Sequence, residues 1–171
     1  MNNKDYLLQY KMLHKMQLYG ISAIREDLFE IIEQVVNKEK PSFILDYGCG
    51  RSKLMEVLSR KEYVKNVYRY DPAVEEYNSL PVSSVDLVIC TDVLEHIPRE
   101  FLYRIVYKIY KLSDRVFFSI GLTEATMILP NGENAHCTVM TKDWWLGYLE
   151  GVFGKVTVVG ELKAKFQCVT W

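Results

Sequence analysis

Four side chains able to carry acid–base chemistry lie in two separate stretches of the chain. Asp92, Glu95 and His96 follow the apolar run Val85–Thr91. Asp92 and Glu95 are three residues apart, which places them on one side of a helical turn. His136 comes forty residues after His96. Carboxylates and imidazoles are the usual groups for proton transfer near neutral pH, so these positions predict a reaction centre.

The two stretches should meet if each one leaves the end of a neighbouring strand. Val85–Thr91 and Arg115–Ile120 are apolar runs of strand length, and Gly121–Met140 is long and weakly periodic, as expected of a functional loop. The carboxyl ends of adjacent parallel strands line one crevice. We therefore expect the two histidines and Glu95 to converge on one point, with Asp92 near it.

The stretch Phe43–Gly50, FILDYGCG, predicts a ligand-binding turn. Three apolar residues lead into Asp46 in a buried strand that ends in a glycine-rich turn, and a helix follows from about Lys53. Glycine lets a ligand approach the backbone because it has no Cβ. Lys53 stands where a third glycine would complete a dinucleotide fingerprint. The turn therefore favours a nucleoside ligand without a pyrophosphate.

An acidic residue at a suitable distance supports this prediction. The strand-like run Val64–Tyr70 ends in Asp71, twenty-one residues after Gly50, and Pro72 follows. A carboxylate at about this offset can accept hydrogen bonds from both hydroxyls of a ribose.

Three motifs in this order carry a family resemblance. LDYGCG, YDP and VDLVICTDVLEHIP, spanning Phe43–Phe101, resemble the S-adenosylmethionine-dependent methyltransferases of the Rossmann-like class. The resemblance implies an α/β fold: a mostly parallel sheet with helices on both faces and an antiparallel C-terminal strand. It also implies S-adenosylmethionine as the cofactor, bound by Asp46, Gly48, Cys49, Gly50, Asp71, Pro72, Thr91 and Asp92.

One segment departs from the family pattern. Only thirteen residues separate Asp71 from Val85, where the family places a helix and a further strand. Such a crossover needs a dozen or more residues before its turns are counted. We expect the edge strand to be missing or reduced to a fragment near Tyr77–Leu80. The adenine-side contact would then fall to Asn78, Ser79 or Leu80.

The acid-x-x-Glu-His pattern with a distant histidine is similar to the divalent-metal site of small-RNA 3′-terminal 2′-O-methyltransferases and of ubiquinone-pathway O-methyltransferases. This resemblance implies that Asp92, Glu95, His96 and His136 bind a divalent metal. Two carboxylates and two imidazoles suit Mn²⁺, Fe²⁺ or Zn²⁺, and Mg²⁺ less well. A metal there could hold a vicinal diol and lower the pKa of the attacked oxygen. Asp92 is one methylene shorter than the glutamate of that pattern.

Two alternatives need no metal. In the first, His96 is a general base or contacts the acceptor, with Glu95 and His136 as the other catalytic groups. In the second, Glu95 and His96 have a structural role, for example in capping a helix.

The flanking segments predict supporting helices. Lys4–Tyr19 and Ser22–Lys38 have apolar residues at helical spacing, and Tyr19 before Gly20 could reach a ligand. In the resembling family such helices pack beside the cofactor mouth, although simple cover for the sheet is equally consistent. We expect one domain, with helices in residues 1–40 and the sheet core in 43–171.

The positions of three other groups of residues can also be predicted. One of Trp144 and Trp145 should lie in the core, and the other could stack on an acceptor. The basic residues of Arg99–Lys111 should form a solvated helix face. His14 should be a surface or packing residue.

Composition limits the partners. The chain has 171 residues, 49% of them hydrophobic, and a formal net charge of −1, so no global field attracts nucleic acid or membrane. Its four cysteines form no CxxC pair, which favours reduced thiols in a cytoplasmic protein. No run of apolar residues approaches membrane-spanning length.

The sequence therefore predicts an S-adenosylmethionine-dependent methyltransferase, O-directed on a small-molecule, sugar or nucleotide-like acceptor. One alternative is an enzyme that cleaves S-adenosylmethionine without a methyl acceptor. Another is a degenerate cofactor-binding module that works through a partner.

Overall fold

The computed structural model describes residues 3–16 and 26–171, with side chains for 6–16 and 26–171. In that part of the chain the helices are α1 (Asn3–Lys15), α2 (Glu26–Glu39), α3 (Leu54–Leu58), α4 (Arg99–Leu112) and α5 (Lys142–Phe153). The strands are β1 (Phe43–Tyr47), β2 (Asn66–Tyr70), β3 (Leu87–Thr91), β4 (Val116–Gly121), β5 (Thr157–Leu162) and β6 (Lys165–Val169). Among the helices described, none has the length and apolar character needed to cross a membrane.

The six strands form one mixed sheet in the order β2-β1-β3-β4-β6-β5. The neighbours β2, β1, β3 and β4 run parallel, and β6 runs antiparallel to both β4 and β5. The expected Rossmann-like, mostly parallel sheet with an antiparallel C-terminal strand is confirmed.

Helices cover both faces of this sheet, as expected. On one face α2 and α3 bury apolar side chains such as Ile32 and Leu58 against β1, β2 and β3. On the other face α4 and α5 pack against the same strands and β4, with Trp145 fully buried. Thr141 caps α5 by accepting a hydrogen bond from the Trp144 amide. Trp145 is thus the core tryptophan, and Trp144 remains half-buried at the surface.

The segment between β2 and β3 is shortened as predicted. It holds a single 3₁₀ turn, Glu75–Tyr77, and no strand. Tyr77 anchors this turn, because its carbonyl accepts from the Asp71 amide and its hydroxyl accepts from the Arg69 guanidinium at 2.7 Å. The guanidinium also stacks over the Tyr77 ring. Consequently β2 is an edge strand of the sheet.

Several predicted boundaries shift. Strands β2 and β3 begin two residues later than the apolar runs Val64–Tyr70 and Val85–Thr91. Helix α1 ends at Lys15, earlier than the predicted Tyr19. Tyr19, Gly20 and Ser22, the predicted start of the second helix, lie outside the described residues.

Candidate functional site

A cavity of about 800 Å³ lies at the carboxyl ends of the parallel strands. This size is within the usual range for small-molecule sites. The predicted site residues on its wall are Asp46, Gly48, Cys49, Gly50, Asp71, Pro72, Thr91, Asp92, His96 and His136. The fold therefore brings all eight predicted cofactor-binding residues and both predicted histidines to one cavity.

The amides of the glycine-rich turn donate hydrogen bonds to other groups of the protein. Gly48 and Gly50 have positive φ, 77° and 49°, which glycine adopts without strain. The Gly48 and Cys49 amides donate to the Tyr70 carbonyl, and the Gly50 amide donates to the Asp71 carboxylate. A phosphate-binding turn points its amides at the ligand instead. This geometry agrees with the expected ligand without a pyrophosphate.

Asp71 is held in place by two backbone amides. Its Oδ2 accepts from Gly50 and its Oδ1 accepts from Ala73, each at 2.8 Å. An ionised carboxylate offers about four lone-pair positions, so each oxygen can accept one further hydrogen bond. Asp71 can therefore still receive the two hydroxyls of a ribose from the cavity.

Asp46 makes the inner end of the cavity acidic. Its carboxylate accepts a hydrogen bond from Ser52 at 3.0 Å, and burial raises its pKa to about 7 against the opposing effects of Ser52 and Arg69. Asp71 lies close enough to raise that pKa further. Two carboxylates in this position favour a ligand that carries positive charge.

Glu95, His96 and His136 form a compact group beside this cavity. The ligand atoms that they offer lie within 4.8 Å of one another. The two imidazole rings meet edge to face, with centroids 4.7 Å apart. The predicted convergence of these three side chains is confirmed, although they come from two distant stretches.

Backbone carbonyls set the tautomers of both histidines. His96 Nδ1 lies 2.9 Å from the Ala135 carbonyl, and His136 Nδ1 contacts the Thr123 carbonyl. Because a carbonyl only accepts, each Nδ1 carries the proton and the lone pair is on Nε2. Metal-binding histidines are commonly oriented in this way. Burial also lowers the pKa of His96 to about 3, so this ring is neutral at physiological pH.

Glu95 has one oxygen that lacks a partner. Its Oε1 accepts from the Gly121 amide at 2.7 Å. Its Oε2 is buried and has no hydrogen-bond partner among the described residues. Burial, followed by the nearby charge of Asp92, raises the pKa of Glu95 to about 8. A buried carboxylate oxygen of this kind requires a proton or a cation, and the donor set fits a divalent transition metal.

Asp92 lies outside that group of three. Its Oδ2 forms an ion pair with Lys165 Nζ at 2.6 Å, and its backbone is left-handed (φ 56°). Its other oxygen, Oδ1, is buried and has no hydrogen-bond partner among the described residues. Its role as a fourth metal ligand stays a prediction, whereas the position of Asp92 on the cavity wall is clear.

The loop after β4 is fastened to the turn that carries Glu95 and His96. Thr138 donates from its amide to the Glu95 carbonyl at 3.0 Å, and from its hydroxyl to the Ile97 carbonyl at 2.7 Å. These contacts hold the loop segment around His136 against the 3₁₀ turn Leu94–His96.

Helix α1 supplies side chains that the sequence motifs did not identify. Tyr6, Tyr10 and His14 line the cavity, and His14 is buried. The Tyr10 hydroxyl donates to the Ala135 carbonyl at 2.8 Å and lies 3.1 Å from His96 Nδ1. A helical pattern of apolar residues gives no signal for such contacts.

The residues that follow the 3₁₀ turn between β2 and β3 do not lie where we predicted. Asn78, Ser79 and Leu80 do not line the cavity; the first two are exposed, and Leu80 packs on the core beneath α4. The α4 residues Arg104 and Lys108 line it instead. The 3₁₀ turn Glu75–Tyr77 is too short to carry the segment after it to the cavity.

No protein-family model matches this sequence, and neither does a curated protein. Solved structures do match its fold. The methyltransferase domain of bacterial CtHen1-CN is 16% identical and has a TM-score of 0.61, over 82% of this chain and 95% of that domain. The DhpI complex with S-adenosylhomocysteine is 11% identical and has a TM-score of 0.64, over 97% and 94%.

A third similar structure is an N1-methyltransferase. The 1,6-didemethyltoxoflavin-N1-methyltransferase of Burkholderia thailandensis is 13% identical and has a TM-score of 0.59, over 97% of this chain and 84% of that one. At these identities the likeness concerns the fold, which is the Rossmann-like fold of S-adenosylmethionine-dependent methyltransferases.

Replacing Gly121 by alanine tests whether the three-residue group is a metal site. A Cβ at this position would lie 2.7 Å from Glu95 Oε1 and 2.9 Å from His136 Cε1, so both side chains would have to move. We expect Gly121→Ala to weaken Mn²⁺ binding about 10- to 100-fold, the usual effect of losing an outer-shell contact. Titration calorimetry with MnCl₂ measures this change.

Gly147→Ala is the matched control, because a Cβ there meets nothing within 4 Å. Equal Mn²⁺ affinity in the two variants, both folded by circular dichroism, would contradict the assignment.

Proposed function

We propose that this protein is an S-adenosylmethionine-dependent methyltransferase that transfers the methyl group to an oxygen of its acceptor. The observation that carries the proposal is the continuity of the cavity. The same cavity is lined by the Gly48–Gly50 turn and Asp71 in one region and by His96 and His136 in another. A cofactor bound by the first set would place its methyl group near the second.

The acidic inner end suits this cofactor. S-adenosylmethionine carries a sulfonium and an ammonium group, and Asp46 and Asp71 provide negative charge in a buried setting. Asp71 would accept the ribose hydroxyls, and its contact with Gly50 ties that recognition to the turn. Because the turn amides are already used, the turn would accept hydrogen bonds from the ligand rather than donate them.

Glu95, His96 and His136 would hold a divalent metal that binds the acceptor. The partnerless Glu95 Oε2 and the two Nε2 lone pairs support this assignment. When bound, such an ion lowers the pKa of a coordinated hydroxyl and orients it. These three residues would hold the metal and the acceptor would be a small-molecule, sugar or nucleotide-like group that binds to it.

The two metal-free alternatives receive less support. A general base works best with a pKa near the operating pH, and burial lowers the pKa of His96 to about 3. A purely structural role would not explain why the ligand atoms of Glu95, His96 and His136 lie within 4.8 Å of one another. The intact cavity and its two carboxylates also favour a working cofactor site over a degenerate module.

Asp71→Ala tests the cofactor assignment. Removing the carboxylate eliminates hydrogen bonds between a charged group and the ribose, so S-adenosylmethionine and S-adenosylhomocysteine should both bind more weakly by about 1.5–3 kcal/mol. Isothermal titration calorimetry gives the two affinities.

Asp86→Ala is a matched control for Asp71→Ala. Asp86 also accepts from two backbone amides, Ser42 and Phe43, but its contacts are at the start of β1, away from the cavity. An unchanged affinity in folded Asp71→Ala would rule out the ribose contact.

The titration of Asp46 predicts a pH dependence of cofactor binding. Its pKa is raised to about 7, so it loses its negative charge as the pH falls through that value. Below about pH 7 the α-amino group of the cofactor stays protonated. The affinity for S-adenosylmethionine should therefore decrease on going below pH 7, by at most about tenfold per pH unit, and level off where Asp46 is fully protonated.

Asp46→Asn should bind more weakly at pH 7 and show a flat profile in the same range. Calorimetry at several pH values separates the two proteins. A wild-type affinity that does not change with pH would show that Asp46 does not act on the bound cation.

Removal of metal tests the acceptor site. If a metal is used, a chelator should abolish methyl transfer and Mn²⁺ should restore it, and His136→Ala should lose this rescue. Mn²⁺ binding, followed by electron paramagnetic resonance of the free ion, should weaken about tenfold or more in His136→Ala. This second readout needs no knowledge of the acceptor.

His14→Ala is the control for Mn²⁺ binding, because His14 lies outside the group of three. Transfer that persists in chelator and depends on one group near neutral pH would favour the general-base mechanism instead. S-adenosylmethionine consumed without an acceptor would point to cleavage.

A further inference from the structure

Helix α4 carries two parallel rows of side chains on its outer surface. Tyr103, Tyr107 and Tyr110 form one row, with exposed fractions of 64%, 46% and 39%. Arg104, Lys108 and Lys111 form the second, at the same three- and four-residue spacing. Residues at this spacing are neighbours on a helix surface, so each row is continuous.

The tyrosine row presents aromatic surface in an ordered arrangement. The Tyr103 and Tyr107 rings are stacked, 5.8 Å apart and 15° from parallel. Tyr107 and Tyr110 follow at 6.1 Å. Helix α5 adds a second stacked pair beside this row, Trp144 on Tyr148 at 5.0 Å. Large aromatic side chains exposed in a row are unusual on a solvated helix face, so the simple expectation for Arg99–Lys111 is incomplete.

The charge of α4 differs from that of the whole chain. Four basic residues and one acidic residue, Glu100, give the helix a formal charge of +3, whereas the chain has −1. The surface of α4 is therefore locally basic, although the chain as a whole has a small negative charge. Arg99 adds to it beside the aromatic group, since its guanidinium lies 5.2 Å from the Trp144 ring centre.

The basic row leads into the cavity. Arg104 and Lys108 are part of the cavity wall. The Lys108 ammonium donates to the Tyr70 hydroxyl at 3.0 Å, and Tyr70 lies at the end of β2 next to Asp71. A ligand that follows the basic row from solvent would thus arrive beside the proposed cofactor site.

We propose that the α4 surface binds a single-stranded nucleic acid, which is or carries the methyl acceptor. Its phosphates would contact the basic row and its bases would stack on the tyrosine row, the combination by which proteins bind single strands without sequence preference. This inference rests on the proposed methyltransferase function and specifies its acceptor class. Charge complementarity and stacked rings together favour a nucleic acid over an acidic protein or an anionic membrane.

Fluorescence anisotropy with labelled single-stranded RNA and DNA of about twelve nucleotides tests the surface, since single-strand sites span about 4–16 nucleotides. The double variant Tyr103→Leu/Tyr107→Leu keeps apolar area but removes the flat rings. We expect it to bind oligonucleotide at least about tenfold more weakly. Tyr63→Leu, a tyrosine on the opposite face of the sheet, should bind like the wild type.

Salt dependence tests the basic row. Arg104→Gln and Lys111→Gln should each reduce the slope of log affinity against log salt by about 0.7, the value per phosphate contact with a single strand. Arg60→Gln, an exposed arginine at the end of α3, is the matched control and should leave the slope unchanged.

Three results would overturn the docking proposal. They are no oligonucleotide binding at low salt, equal binding by the leucine double variant, and binding of anionic phospholipid vesicles but not of oligonucleotides. Calorimetry with S-adenosylmethionine keeps the two proposals apart, because Tyr103 and Tyr107 do not line the cavity and their variant should retain cofactor affinity. Oligonucleotide binding without any cofactor binding by the wild type would overturn the methyltransferase function instead.

Discussion

The hydrogen bond from the Gly121 amide to Glu95 Oε1 is the contact on which the candidate site depends. It joins the last residue of β4 to the turn after β3, and glycine is required because a Cβ would collide with Glu95 and His136. Fixing Oε1 leaves Oε2 buried without a donor. Leaving such a group unsatisfied costs about 1–3 kcal/mol or more, so this oxygen calls for a proton or a cation. His96 and His136, whose rings are oriented by backbone carbonyls, offer ligand atoms close to the Glu95 carboxylate.

The sequence located residues that come directly after strands, and this success has a physical basis. Asp46, Asp71 and Glu95 lie at or just after the ends of parallel strands, so hydrophobic runs alone place them at one edge of the sheet. Tyr10 and Lys165 reach the same cavity through packing of distant segments, for which no local pattern exists. Asp92 shows the consequence: its position was predictable, but its pairing with a lysine seventy-three residues later was not.

The shortened segment after β2 changes the wall of the cavity as well as the edge of the sheet. A full crossover would cover this side with a helix. Here a single 3₁₀ turn is held on β2 by Arg69 and Tyr77, and the residues after it do not reach the cavity. Arg104 and Lys108 of α4 form the wall instead. Counting thirteen residues was enough to predict the missing strand, but not which side chains would replace it.

The cavity is acidic in one region and basic in another. Asp46 and Asp71 make the inner end acidic, and Arg104 and Lys108 make the α4 side basic. This order suits a cationic cofactor and an anionic acceptor bound together, because each faces complementary charge. Methyl transfer removes the sulfonium charge from the cofactor, so the product loses part of its attraction to the two aspartates. The same electrostatics that would bind the substrate cofactor would therefore favour its exchange after reaction.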